Sequence, residues 1–144
     1  MNKIYETNYQ KLTKIIDLPL LKKNGYLKYK APSNAIMDLN SDFLRTERNG
    51  NYIIALSHYY IENGDAIADP DMELRINETY TPTIEALTFQ NKYTYQKVYI
   101  KKGKGEGTLI NLRLKREFNK FLETWLTNLA EYEYKLVVES EITK

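Results

Sequence analysis

Residues 56–76 read LSHYYIENGDAIADPDMELRI, and whether they form a hairpin or a site decides how the rest of the chain is read. After the turn-forming run Asn63-Gly64-Asp65, Met72, Leu74 and Ile76 alternate with Glu73, Arg75 and Asn77. Successive strand side chains point to opposite sides, so such alternation requires one buried and one wet face. Before the turn, NYIIALSHYYIE is rich in β-branched and aromatic residues and reads as a second strand. Asn and Gly tolerate the left-handed region, and Asp69-Pro70 fixes the start of the following strand. Turn chemistry therefore accounts for most of the segment as a connection between two strands. The same segment holds the single histidine, His58, with Tyr59, Tyr60, Asn63, Asp65, Asp69 and Asp71. These seven form the candidate functional cluster. Period two puts His58 with Ile54, Leu56 and Tyr60, opposite Ile53, Ala55, Ser57 and Tyr59. A histidine in a mainly apolar row is more often a hydrogen-bonded core residue than a ligand or base.

Outward from this pair, GYLKYKAP and NAIMDLNSDFLRTE read as preceding strands, with Asn49-Gly50 a two-residue hairpin signal. TIEALTFQ and YTYQKVYI read as following strands joined by a turn at Asn91-Lys92, with the basic KKGKGEGT as an exposed hairpin tip. Tyr5, Tyr9, Leu12, Ile15 and Ile16 form a helical stripe that Pro19 ends. From the N-cap Asn111, Leu114, Phe118, Phe121, Leu122, Trp125, Leu126 and Leu129 share one side of a second helix. The tail VVESEITK adds a short strand or frays. Helix, meander, helix predicts a single α+β domain over residues 1–144. Its five or six antiparallel strands carry the N-terminal and C-terminal helices on one face.

Composition narrows the function classes. The chain has 144 residues, no cysteine and a net charge of +2. Disulfides, thiolate nucleophiles and cysteine-held metals are excluded, and a cytoplasmic location is expected. The N-terminus lacks an unbroken apolar signal core, and no apolar run is long enough to span a bilayer, so no membrane partner is expected. Charge is uneven. Glu62, Asp65, Asp69, Asp71, Glu73 and Glu78 face only Arg75 in their stretch, whereas Lys101, Lys102, Lys104, Arg113, Lys115 and Arg116 face only Glu106 in theirs. Solvated faces explain both runs without a ligand.

Catalytic signatures are absent. Asp65, Asp69, Asp71 and Glu73 offer hard oxygen ligands for Mg²⁺ or Mn²⁺, and Pro70-Asp71 invites comparison with metal-dependent nucleases of the PD…(D/E)xK pattern. The second half of that pattern fails, because Glu85 is followed by Ala86-Leu87 and Glu73 by Leu74-Arg75. The glycine and lysine order of KKGKGEGT does not match a phosphate-cradling loop. Ser57 cannot partner His58, since neighbouring strand residues face opposite ways. No cofactor and no metal ligand set is assigned. Nucleic-acid binding has more support: Tyr93, Tyr95 and Tyr99 share a face with Lys97 and precede Lys101, Lys102 and Lys104, a row that could stack bases and contact phosphates. Ordinary cross-strand packing explains the same tyrosines.

The runs LSHYYIENGDAIADPDMELRI, EALTFQNKYTYQKVY and NLRLKREFNKFLETWLTNL together resemble a family of bacterial proteins of unknown function. Its marks are HYY-x-x-NGD-x-x-x-DP-x-M, an EALT[FY]Q strand and a C-terminal helix bearing FL-x-x-WL-x-x-L. The YqiB-like family of unknown function is more distantly similar. The resemblance implies an accessory protein carried on phages, plasmids or integrated conjugative elements of low-GC Gram-positive bacteria. It carries no assigned activity, so it transfers no catalytic role to His58, Asn63, Asp65, Asp69 or Asp71. The resulting expectation is a non-enzymatic binding protein with a host or element-encoded protein partner. Nucleic-acid binding is the alternative and a metal-dependent nuclease-like enzyme the third reading.

Overall fold

The computed structural model describes residues 3–101 and 107–137. Helix α1 (Lys3–Thr13) is followed by a short helix α2 (Leu18–Asn24). Pro19 therefore does more than stop the first helix. It sits in the first turn of the second, where a missing N–H leaves no bond unmade, and Asp17 caps that turn by accepting from Leu20 N at 3.1 Å. Gly25 closes α2 at φ 84°, its N–H donating to the Leu21 carbonyl.

Strands β1 (Tyr26–Lys30), β2 (Leu39–Thr46), β3 (Tyr52–Glu62) and β4 (Asp65–Asn77) pair in succession, all antiparallel. Between β3 and β4, Asn63 (φ 53°) and Gly64 (φ 85°) fill a two-residue turn closed by the pair Glu62 and Asp65. Two consecutive positive φ values make a type I′ turn, whose twist matches that of paired strands. The connection is thus shorter than the sequence pattern suggested. Strand β4 begins at Asp65, and Asp69-Pro70, read from sequence as loop, lies inside it with a cis peptide bond. There the register shifts, so that Asp69 and Pro70 both face the single residue His58, a β-bulge. The Asn49-Gly50 turn differs in the other direction. Its loop is longer than two residues, closed by Glu47 N donating to Asn51 O, with Gly50 at φ 94°.

Strands β5 (Thr83–Ala86) and β6 (Thr88–Gln90) both run beside β4, β7 (Tyr95–Lys97) runs beside β6, and β8 (Tyr99–Lys101) pairs with β9 (Thr108–Ile110). After helix α3 (Leu112–Leu129), β10 (Lys135–Leu136) returns to pair with β1. Among the described residues the main sheet has eight strands in the order β10-β1-β2-β3-β4-β6-β7, with β5 also on β4. Five or six were expected. The two beyond six arise because the run read as one strand breaks at Leu87 into β5 and β6, and because β10 joins β1; the following run breaks at Val98, which sends β8 to a second sheet with β9. Leu87 and Val98 continue the bonding through Leu87 N to Glu73 O and Val98 N to Leu87 O. The terminal strand lies ahead of the tail from which it was expected, and residues 138–144 lie outside the described residues.

The architecture is α+β, with the helices on one face of an antiparallel meander. Leu12, Leu21 and Leu122 from the three helices share one core with Leu39, Ile54, Leu56, Met72 and Leu74 from the sheet. Each such side chain contributes roughly 1.5–3 kcal/mol on leaving water. The stripe read on α3 is buried except for Phe121, which stands 39% exposed at its edge against Phe89 and Trp125. The helical pattern also missed a buried polar residue. Asn119 accepts from Ala86 N at 2.9 Å and donates to Lys115 O at 2.7 Å, while Asn8 of α1 donates to the Asn119 carbonyl at 3.2 Å. The Asn119 side chain thus ties α3 to β5, and its backbone carbonyl ties α3 to α1. Asn119→Ala strands the Ala86 N–H in the core, so stability should fall by about 1–3 kcal/mol. Urea unfolding checks this as a lower midpoint with an unchanged slope.

Candidate functional site

His58 lies on the helix side of the sheet. Its Nδ1 is 2.8 Å from the Asp38 carbonyl oxygen, and its Nε2 accepts from the Trp125 indole N–H at 3.1 Å. These partners require a neutral ring with the proton on Nδ1. The rings meet edge to face at 5.4 Å. Burial pulls the His58 pKa below its usual value, partly opposed by the Asp38 carbonyl and by the charges of Asp69 and Asp38. Both ring nitrogens are engaged, so this histidine offers no free base or ligand to a substrate. It fastens β3 to α3.

The opposite face of the sheet is built differently. Ile53, Ala55 and Ser57 run down its middle; they are buried, yet Ile53 and Ala55 stand outside the core that the helices share. Strand register lays polar residues in rows across them. One row is Asn40, Ser57, Asp71, Gln90 and Tyr95; the next is Asp42, Ala55 and Glu73; the third is Arg45, Ile53, Arg75 and Glu85. A depression of about 200 Å³ on this face is lined by Arg45, Glu73, Arg75, Thr88, Tyr95 and Lys97, with Leu87 and Tyr99.

Charges on this face fall into two groups. Toward one end they are neutralised: Arg75 binds Glu47 through Nε at 2.8 Å and Nη2 at 3.1 Å and reaches Glu85 at 3.5 Å. Lys115 of α3 reaches Glu85 at 3.2 Å and donates to the Tyr99 hydroxyl, which in turn donates to Glu85. Burial lowers the Lys115 pKa, but Tyr99 and Glu85 outweigh it and the net shift is upward. Arg45 lies 3.7 Å from Glu73. At the other end, Tyr59 donates to Asp71 at 2.5 Å. Burial pushes the Asp42 carboxyl up, and the nearby Asp71 charge pushes it further. The Tyr59 hydroxyl is raised by burial, by its bond to Asp71 and by the charges of Asp71 and Asp42.

The two candidate groups read from sequence are thus partly brought together. Tyr59 and Asp71 from the first meet Tyr95, Lys97 and Tyr99 from the second on one face. His58 goes to the other side, and Asn63 and Asp65 go to the hairpin tip. Tyr60 pairs with Ile67 along the hairpin arm, and Asp69 is exposed at the bulge. Tyr93 leaves the row: it occupies the β6–β7 turn, 87% exposed, with Lys92 over its ring. Lys101 ends β8, and Lys102 and Lys104 lie outside the described residues. Among the described residues no three His, Asp or Glu side chains gather closely enough to hold a metal ion. Asp65, Asp69 and Asp71 are instead strung along a strand. The sequence reading missed Asp42, Arg45, Glu47, Glu85 and Lys115; the signal available was the polar alternation of Asn40 and Asp42 and of Glu73, Arg75 and Asn77.

A larger cavity, about 550 Å³, opens beneath the α1–α2 connection and contains none of these candidates. At its rim Glu78 accepts from Tyr9 at 2.7 Å and from Tyr52 at 3.1 Å. The Tyr9 pKa is pushed up to about 12 by burial and by that carboxylate.

A family described as a domain of unknown function (DUF6908) matches residues 7–134. The chain belongs to the DUF6908 family. That match takes the resemblance read from sequence as far as a family with no assigned activity. No curated protein and no solved structure matches the chain. No described helix of this DUF6908 chain is long and apolar enough to cross a membrane.

Trp125 is the sole tryptophan and bonds His58 directly, so the DUF6908 fold carries its own reporter. The folded His58 pKa lies below the ordinary 6.5. The unfolded chain therefore takes up the proton first, and stability is complete above about pH 6.5 and falls as acid carries the pH toward the folded pKa. Denaturant titrations at pH 7.5 and pH 5.0, followed by tryptophan emission, should show a lower midpoint at pH 5.0. His58→Gln should remove most of that difference.

Proposed function

We propose that this DUF6908 domain is a non-enzymatic binding module that docks a protein partner on the open face of its sheet. The partner is a host or element-encoded factor, and the domain is an accessory of a phage or another mobile element. One observation carries the reading. The helices are confined to one side, and the other side presents rows of tyrosines and charges on hydrogen-bonded strands. Rigid strands hold side chains in place before a partner arrives, which lowers the ordering cost of association. Tyrosine supplies large contact area with a hydrogen-bonding tip, and Tyr59 and Tyr95 are 39% and 53% exposed. The likeness of HYY-x-x-NGD-x-x-x-DP-x-M to proteins of mobile elements supports the context.

Nucleic acid is the second reading, favoured by Tyr95 and Lys97 beside Arg45. The carboxylates of Asp42, Asp71 and Glu73 interleave with these residues and oppose phosphate, which is why protein is placed first. The metal-enzyme reading lacks a converging ligand set among the described residues.

Affinity capture of the tagged chain from bacterial lysate, with and without nuclease, separates the two. A stoichiometric protein that survives nuclease and is lost in the Tyr59→Ala/Tyr95→Ala variant is expected, with affinity reduced by about tenfold or more. Tyr59→Ala also removes the donor to Asp71, so a urea titration confirms that the variant remains folded. Loss of all bound protein on nuclease treatment, with salt-sensitive binding of the purified chain to DNA or RNA, would replace protein with nucleic acid.

A further inference from the structure

The cavity of about 550 Å³ beneath the α1–α2 connection lies apart from the open face. Its volume falls within the roughly 300–1,000 Å³ of small-molecule sites. Ile16, Leu18 and Leu136 give it aliphatic walls, and Tyr9, Tyr29 and Tyr134 give it aromatic ones. The three phenols are not equivalent. Tyr9 donates to Glu78, and Tyr134 donates to the Met37 carbonyl at 2.8 Å. Tyr29 only accepts: the Asp17 N–H lies 3.0 Å from its oxygen, and among the described residues nothing accepts its proton. That hydroxyl belongs to a side chain only 5% exposed, and it meets the cavity wall at Asp17. Burial raises its pKa, so it stays protonated and keeps a donor to offer. A buried donor without an acceptor carries its full desolvation cost. The lining carboxylates, by contrast, are already engaged. Asp17 accepts from Leu20 N, and Glu78 accepts from Tyr9 and Tyr52 and has Lys22 at 3.6 Å. Lys14, exposed on the rim, forms no ion pair among the described residues.

We propose that this cavity binds a small carboxylic acid with an apolar body, its carboxylate accepting from the Tyr29 hydroxyl and facing Lys14. What the wall lacks decides the class: both unmet polar groups are donors, one buried and one cationic. A carboxylate satisfies both, and a hydroxyl donates more strongly to an ionised oxygen than to a neutral one. The aliphatic and aromatic walls suit the apolar remainder, which leaves water on entry. A cationic ligand would have to displace Tyr9, Tyr52 or Lys22 from Glu78 and would leave Tyr29 unmet. The site uses none of the residues of the proposed docking face, so either can fail without the other.

The test titrates the full ¹⁵N-labelled chain with naphthoate, and with naphthylmethylammonium, which keeps the ring and reverses the charge. Saturable amide shifts centred on Ile15, Ile16, Asp17, Tyr29 and Leu136 are expected with naphthoate, and weaker ones with the ammonium. Tyr29→Phe keeps the ring and removes only the hydroxyl, and should weaken naphthoate binding by about tenfold. Lys14→Gln alters an exposed side chain and should weaken it by about threefold. Because Tyr29→Phe also frees the Asp17 N–H, a urea titration verifies that it folds, and Lys14→Gln tests the site in a chain whose core is untouched. No saturable shift at millimolar naphthoate, shifts centred on the open face, equal or tighter binding of the ammonium, or unchanged affinity in the folded Tyr29→Phe variant would overturn the proposal.

Discussion

The pairing of β3 with β4 is the constraint on which the other elements depend. It is the longest strand pair among the described residues, running from Tyr52 opposite Ile76 to Glu62 opposite Asp65, and its register is set at one end by the two left-handed residues of a type I′ turn. A slip by one residue would move Ile54, Leu56, Met72 and Leu74 out of the core together. Every other strand of the main sheet is added outward from this pair: β2, β1 and β10 on one flank, β5, β6 and β7 on the other. Helices then cover the face that the register has made apolar.

The same pair separates the chemistry of the two faces. At the bulge, Asp69 and Pro70 of β4 together oppose His58, while β3 keeps its alternation. His58 points inward with Ile54 and Leu56, to Trp125, and Tyr59 points outward with Ser57, to Asp71. Adjacent residues of one motif thus serve different ends. The histidine fixes a helix to the sheet, and the tyrosine joins a surface where the partner is proposed to dock.

Much of this was legible in the sequence because burial leaves a periodic trace. Met72, Leu74 and Ile76 at period two, and Leu114, Phe118, Leu122 and Leu126 at helical spacing, mark the elements that bury them. The α+β class follows from their order. What the pattern did not carry was information that depends on partners distant in sequence. Leu87 and Val98 look like ordinary strand residues, and only their bonds to Glu73 and to each other show where the strands break. Asn119 looks like a polar position on a helix, and its place becomes intelligible only when Ala86 and Asn8 are beside it. The same holds for the candidate surface. Tyr59, Asp71, Tyr95, Lys97 and Tyr99 were visible as residues of interest, but their shared face needed the register of four strands. Asp42 and Arg45 became relevant only through that register.

The hairpin also has a mechanical side. Strand β2 pairs with β3 only as far as Ser57, and β6 pairs with β4 only at Asp71. Beyond those points β3 and β4 continue as a two-stranded arm, with Ile61 70% exposed. Lys92, 2.8 Å from Glu62, is the strut that ties the arm to the β6–β7 turn. A two-stranded ribbon without a neighbour opens at lower free energy than the sheet behind it. The amides of residues 59–68 should therefore exchange with solvent through local fraying, while those of Ile54, Leu56, Met72 and Leu74 exchange only when the whole domain opens. The molecule thus combines a slow-exchanging body with a faster-exchanging lever, and the boundary between them falls at the bulge beside His58.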